Sequence, residues 1–505
     1  MSDYGQYDAV VVGAGPNGLA AAIVLAGAGL RVLLREAASE VGGGLRSAEL
    51  TFPGLVHDVC ATVHPLGVSS PLLRSLPLDK HGLEWVHAPA ELAHPFDDGR
   101  VAVLRRSIGE TGVTLGRDAP AWRRLLEPFA RDWLTLAADV LAPLRIPRHP
   151  LLLARFGLRA IRSADALVRG AFRDEPARAL LAGNAAHSMV PLRQSPTAAF
   201  GLTLIAAAHA VGWPIVRGGS RKLAGALAAY FRSLGGAIET DAPLERIDEL
   251  DGVPTVVLDL TPRQVLRVAG HRLPPKYRAA LERYRYGAGV FKIEWVLDGP
   301  VPWKSPECAQ ALTVHLGGTL AEIVEAEDAP LAGRVPEKPF VLLGQPTLFD
   351  PSRTSGGRQI VWAYCHVPFG SREDMTGRIE AQVERFAPGF RDRVLARCAM
   401  DPAALERHDA NLVGGDISGG MMDLRQIFFR PVRRLVPYAT PLRGVYLCSA
   451  STPPGGAVHG MGGYYAAAAA LGYSVLLPVH NVRRDRSGRH RTRPPTAAPQ
   501  AAGQA

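Results

Sequence analysis

The stretch YDAVVVGAGPNGLAAAIVLAGAGLRVLLRE, residues 7–36, decides the fold. Tyr7–Val12 is a β-rich apolar run without polar alternation, the pattern of a parallel strand covered on both faces. The turn Gly13-Ala14-Gly15-Pro16-Asn17-Gly18 follows, then an Ala- and Leu-rich helix to Gly29 and a second strand, Leu30–Arg35. Each part has a mechanical reason. Gly13 permits the tight turn, Gly15 lets the backbone approach a pyrophosphate, and Gly18 lets the helix pack closely on the strand. The helix N-terminus offers unpaired N–H groups and a positive dipole end to phosphate, with Pro16 and Asn17 in its first turn. Glu36 stands 18 residues past Gly18, where an acid can bond ribose hydroxyls. Arg35 beside it points the other way by strand alternation. The spacing predicts a Rossmann-type dinucleotide site.

The next segment selects the dinucleotide. AASEVGGGLRSAEL, residues 37–50, brings Gly43, Gly44 and Arg46 ten residues past the ribose acid. A second close-approach loop with a cation suits the longer FAD molecule against pyrophosphate and flavin. A plain NAD domain does not need it. A second GxGxxG at a strand–helix junction is missing, so no dedicated NAD(P)H domain is expected, and electrons should enter from substrate.

Composition bounds the rest. At 505 residues the chain is long enough for two or three domains. With 47% hydrophobic and 21% charged residues it reads as globular. Residues 481–505 hold six Arg and one Asp, net +5 of the chain's +10, among Pro and Ala, and are expected to form a disordered basic tail. No aromatics interleave with those arginines, so no nucleic-acid partner is expected. The five cysteines lie far apart without a CxxC, which argues against a zinc site, a redox disulfide and a disulfide framework. Asp416 and Asp423 flank a glycine-rich turn without companion His or Cys, so no metal is expected. Asp3 and Asp8 occupy the place of a basic leader region, and the 17-residue run Thr197–Trp213 carries Thr203 and His209 and falls short of a bilayer span. The expectation is a cytoplasmic chain with a buried helix there, and peripheral membrane contact stays open.

The ordered motifs GAGPNG, VGGGLRS, GLVHDVCATVHPLG (54–67), GWPIVRGGSRKLAGALAAYFRSLGGAIET (212–240), NLVGGDISGG (411–420) and GVYLCSASTPPGGAVHGMGGYYAA (444–467) resemble the phytoene desaturase-like branch of the amine oxidase-type flavoproteins. The resemblance runs to about residue 479. It implies an α/β fold: a discontinuous Rossmann-like FAD-binding domain (1–75, 212–270 and 410–480) with an inserted α+β substrate domain (76–211 and 271–409). Residues 120–210 read as helices, and GVFKIEWVL and RQIVWAY within 285–370 as strands of a sheet over the flavin. The resemblance places the backbone at Leu244 by the adenine, and the loop with Ser451, Gly460 and Met461 at the ribityl chain and pyrimidine ring. Ser449 and Ser451 stand where relatives often carry Gly and sometimes an acid, which puts a ribityl–carboxylate bond in doubt.

Catalytic candidates are Lys292, on an alternating strand, since amine oxidase-type flavoproteins often hold a lysine near flavin N5, although the motif around Lys292 differs from theirs; His64, after the GGG loop; and Tyr464, by the C-terminal loop. His57, His459 and Tyr465 stand close by in sequence, with His187 and Trp213 as pocket walls. For each of these a core or hydrogen-bonded structural role is the competing reading. The resemblance implies an FAD-dependent dehydrogenase or desaturase that passes hydride from an apolar, isoprenoid- or lipid-like small molecule to flavin, with oxygen or a quinone as acceptor. A flavin amine oxidase, a flavin-dependent isomerase and a non-catalytic flavoprotein binder are the alternatives.

Overall fold

The computed structural model describes residues 4–476. The chain opens with β1 (Ala9–Val12), α1 (Pro16–Gly27) and β2 (Val32–Arg35). Two strands, β3 (Ala90–Pro95) and β4 (Val101–Leu104), lead into a helical region that includes α2 (Pro150–Ala160), α3 (Glu175–Ala186) and α4 (Thr197–Val211). Then come α5 (Arg221–Ser233), β5 (Ala237–Glu239) and β6 (Thr255–Leu258). Strands β7 (Gly289–Leu297), β8 (Ala311–Leu316), β9 (Val341–Gly344) and β10 (Gln359–Val367) precede α6 (Thr376–Phe386) and β11 (Val394–Met400). Strand β12 (Val445–Leu447) and α7 (Met461–Ala470) close the described chain. The basic tail expected at 481–505 lies outside the described residues.

Five strands form an all-parallel sheet in the order β12-β6-β1-β2-β5. Its strands come from distant parts of the chain, as a discontinuous dinucleotide domain requires. Every residue of β1 and β2 is buried, because helices cover one face and a second apolar cluster around Leu244, Ile247 and Val265 covers the other. Strand β6, TVVL, escaped the sequence reading although it pairs directly with β1 from Ala9↔Thr255 to Val12↔Leu258. Helix α7 begins at Met461, three residues before the expected Tyr464. Gly460 is left-handed (φ 68°) and the Met461 N–H is taken by His459 Nδ1 at 3.0 Å, so the chain turns helical at once.

The second sheet has seven strands, in the order β11-β7-β10-β9-β8-β3-β4, with only the β8–β3 pair parallel. Side chains alternate across it. One face carries Phe291, Ile293, Trp295, Val361, Ala363 and Leu343, sealed by Ile379, Val383 and Phe386 of α6. By the same alternation the other face carries Lys292 and Glu294 from β7, Thr313 and His315 from β8, and Trp362, Tyr364 and His366 from β10. A nearly dry sheet thus turns a row of polar groups toward the interior of the molecule.

Candidate active site

The carboxyl ends of β1 and β6 open side by side, the position where open α/β sheets bind ligands. The turn after β1 is as tight as its glycines allow. A Cβ on Gly18 would lie 1.8 Å from the Gly13 carbonyl oxygen, and one on Gly15 2.9 Å from the Asp259 carboxylate. The second glycine loop packs on the first: a Cβ on Gly43 would come 3.1 Å from Gly15 Cα. Glu36, at the end of β2, accepts hydrogen bonds from Ala14 N (2.7 Å) and Ala38 N (2.9 Å) and so braces the turn. Only backbone can pass here, and that is the cradle a dinucleotide pyrophosphate needs.

One cavity of about 720 Å³ joins this cradle to the polar face of the second sheet. Gly15, Pro16, Asn17 and Gly44 line one end, with Asp259 and Asp409, and the loop Pro453–His459 closes over them. Lys292, Thr313, Trp362 and Tyr364 form a further wall, and His187, Trp213 and the helical residues Leu153, Phe156 and Phe200 complete an otherwise apolar chamber.

The expected site residues fare unequally. Lys292 lines the cavity, but its ammonium is committed to Asp58 O (2.5 Å), Val59 O (2.9 Å) and Glu294 Oε1 (2.6 Å). Glu294 in turn takes His57 Nδ1 at 2.9 Å, and His57 Nε2 meets Thr51 Oγ1 at 2.8 Å. All three donors of the Lys292 side chain are therefore spent inside the protein. His64 also lines the cavity. Ser220 Oγ donates to Ala61 O (2.6 Å), so His64 Nε2 must donate to Ser220 (2.9 Å), leaving Nδ1 as the lone-pair nitrogen. Burial holds that imidazole at about 4, a weak base near neutral pH.

Tyr464 does not line the cavity: it sits on α7 against Tyr465, ring centroids 5.1 Å apart, while His459 of the preceding loop does line it. Arg46 donates to the carbonyls of Gly43 and His408, so it staples the second glycine loop to the segment before Asp409. Leu244 is a buried member of the apolar cluster behind the parallel sheet. Ser451 Oγ is spent on Gly419 O at 2.7 Å. Gly460 and Met461 serve the start of α7, which packs along α1.

Several residues at the cradle were missed. Asp259 follows β6 directly and accepts the Gly18 N–H at 2.8 Å, and burial pushes its carboxyl up to about 7. Asp409, half-buried, is raised in the same direction by desolvation. Asn411 clamps the strand end, taking Thr261 N (3.0 Å) and donating to Asp259 O (2.8 Å). The run TVVLDLTP held the signal, a β-branched strand ending in an acid before a helix-starting Thr-Pro.

Comparison with known proteins agrees with this geometry. Residues 11–76 match the model of the NAD(P)-binding Rossmann-like domain. Over 560 residues the chain is 26% identical to the Mus musculus protein named pyridine nucleotide-disulfide oxidoreductase domain-containing protein 2, covering 92% of this chain and 93% of that one. Over 278 residues it is 33% identical to hydroxyneurosporene desaturase of Cereibacter sphaeroides, 49% of this chain and 52% of that one. Cyclohexylamine oxidase from Brevibacterium oxydans shares the fold at a TM-score of 0.56 and 14% identity, over 92% of this chain and 98% of that one. The two relatives are named as an oxidoreductase domain-containing protein and a desaturase, and the oxidase structure shares the fold. The matched domain model spans the glycine turn, Glu36 and the second loop, and of these the turn and the acid are common to NAD(P) and FAD sites. In this chain the cavity extends from the glycine turn into a chamber walled by the second sheet and the helices.

Proposed function

We propose that the chain binds FAD and oxidises a mainly apolar, isoprenoid- or lipid-like small molecule as a dehydrogenase or desaturase, with oxygen or a quinone as terminal acceptor. The observation that carries this reading is a continuous cavity running from the double-glycine cradle into an apolar chamber. The residues fit the cofactor: a helix N-terminus and two touching glycine loops suit a pyrophosphate, and Glu36 suits a ribose. Bound FAD supplies the redox chemistry by accepting a hydride equivalent. The chain's own residues do the rest. The apolar walls exclude water and hold the substrate. Lys292 stands beside the stacked rings of Trp362 and Tyr364, whose planes lie 11° apart. His64 lends a neutral nitrogen at the wall. The absorption spectrum of purified protein tests this. The two flavin bands are expected, with anaerobic bleaching by apolar alcohols or polyenes, and a colourless preparation that FAD cannot reconstitute overturns the reading. Bleaching by amines with peroxide release favours the amine oxidase alternative.

We also propose peripheral contact with an anionic membrane surface. No helix among the described residues is long and apolar enough to cross a membrane. Helix α2 instead turns Leu151 and Leu158 outward, 86% and 75% exposed, beside Ile146 and Ile161 and the exposed Arg155 and Arg162. Its opposite side lines the cavity with Leu153 and Phe156. An exposed Leu–Arg face at the chamber wall is the composition of an interfacial helix. Co-sedimentation with phosphatidylglycerol vesicles, lost in Leu151→Glu/Leu158→Glu, is the expected result. Equal recovery of both proteins with the vesicles overturns it.

A further inference from the structure

One corner of the chamber departs from the rest of its wall. Along the polar face of the second sheet, Lys292, Glu294 and His57 are all paired. Further across, Thr313 of β8 stands opposite Gly344 of β9, and Gly344 opposite Trp362 of β10. Gly344 has a steric reason. A Cβ there would lie 2.3 Å from Trp362 Cε2 and 2.6 Å from Nε1, so the indole lies across the middle strand with its N–H between its own strand and that of Thr313. Thr313 and Trp362 both line the cavity, at 3% and 7% exposure, yet neither Thr313 Oγ1 nor Trp362 Nε1 finds a hydrogen-bond partner among the described residues. The same holds for Nε2 of His187, which lines the cavity too. Its ring lies 5.4 Å from His315, two residues along β8 from Thr313 on the same face. Buried donors and acceptors left unpaired are costly, and a row of them in one apolar chamber calls for a ligand atom.

We propose that this corner is a polar subsite that holds the neutral oxygen of the substrate, a hydroxyl or carbonyl on an otherwise apolar molecule. An oxygen there accepts the indole N–H, and the Thr313 hydroxyl either donates to it or accepts from it. Burial holds His187 at about 3, so its ring is uncharged and offers a neutral partner. The acids that line the cavity are Asp139, Asp259 and Asp409. Two of them belong to the dinucleotide cradle and Asp139 is paired with Arg145, so an ammonium group has no anchor in the corner. The subsite rests on the reading of the chamber as the substrate site.

The test uses the FAD-loaded full chain and calorimetric titration with 1-decanol, decane and decylamine. Decanol is expected to bind about three- to tenfold tighter than decane, the worth of one or two neutral hydrogen bonds. Thr313→Val, which keeps the side-chain shape, and Trp362→Phe should each remove most of that preference, read as the decanol-to-decane affinity ratio within each variant. Equal binding of decanol and decane, a preference untouched by both variants, or tighter binding of decylamine overturns the subsite. If Trp362→Phe fails to fold, Thr313→Val decides alone. Binding of none of the probes to a flavin-loaded protein overturns both the subsite and the apolar chamber, whereas a missing flavin spectrum overturns the cofactor reading and leaves the decanol-to-decane ratio to be measured on the same chain.

Discussion

The two sheets carry their chemistry in different places. The parallel sheet is apolar along the length of β1 and works only at its ends, where Gly13, Glu36 and Asp259 leave the strands. The seven-stranded sheet works on a face: every second side chain of β7 and β10 turns inward and the intervening ones are sealed away by α6. In the first sheet a functional group sits in a loop with fixed backbone demands. In the second it sits inside a strand, and its role depends on which neighbours pack above it. The end of a strand tolerates little change in backbone shape, and the face tolerates little change in charge pairing.

The largest expected effect breaks the first half of that contrast. Gly18→Ala should abolish flavin retention and sharply lower soluble yield, because its Cβ would overlap the Gly13 carbonyl. Gly27→Ala, in the same helix with nothing within 4 Å, should be neutral or gain about 0.5–1 kcal/mol in denaturant titration. Equal tolerance of both would mean that the turn is not the cradle described. The next effect belongs to the polar face. Lys292→Met leaves Glu294 buried beside His57 without its cation, and should cost about 3–5 kcal/mol. Lys292→Met/Glu294→Gln should recover part of that loss, measured by chemical denaturation with flavin fluorescence as a second probe.

The same contrast explains what the sequence disclosed. The glycine turn, Glu36 and the second glycine loop were legible because backbone geometry restricts which residues can occupy them. Residues of the face were legible only as strands: GVFKIEWVL gives β7, but nothing in it says that Lys292 is tied to two carbonyls and a glutamate. The partners are 234 and 233 residues away for the carbonyls, and only the folded chain brings them together. Tyr464 looked catalytic by its closeness to the C-terminal loop, yet helix α7 starts early and carries it off the cavity wall. Asp259 was invisible for the opposite reason. Its strand was overlooked, so the acid after it had no place in the site.

Asp259 supplies the third test, a titration of the strand end. Its carboxyl holds a proton up to about pH 7 in the folded chain, against 3.8 ordinarily. Folding is therefore linked to proton uptake across that window. The contribution is complete below about pH 4 and lost as pH rises through about 7. Asp259→Asn keeps an acceptor for Gly18 N–H and has no proton to lose. Its thermal midpoint should match the wild type near pH 4 and exceed it at pH 8, and flavin retention at pH 8 should rise as well. A gap that does not change with pH would show that the carboxyl titrates normally despite its burial.

The smallest effect compares two threonines of the face-bearing region. Thr347 Oγ1 accepts Ile360 N at 2.9 Å and meets Gln359 Oε1 at 2.9 Å, so Thr347→Val strands a buried N–H and should cost about 1–3 kcal/mol. Thr313 is equally buried, but its hydroxyl has no partner among the described residues. Removing it deletes an unpaired polar group and should shift stability of the ligand-free chain by less than about 1 kcal/mol in either direction. Denaturation of both variants in parallel distinguishes a hydroxyl held for the fold from one held for a ligand. Equal losses would show that the Thr313 hydroxyl is already satisfied in the free protein, and the oxygen-binding corner would then have no free donor to offer.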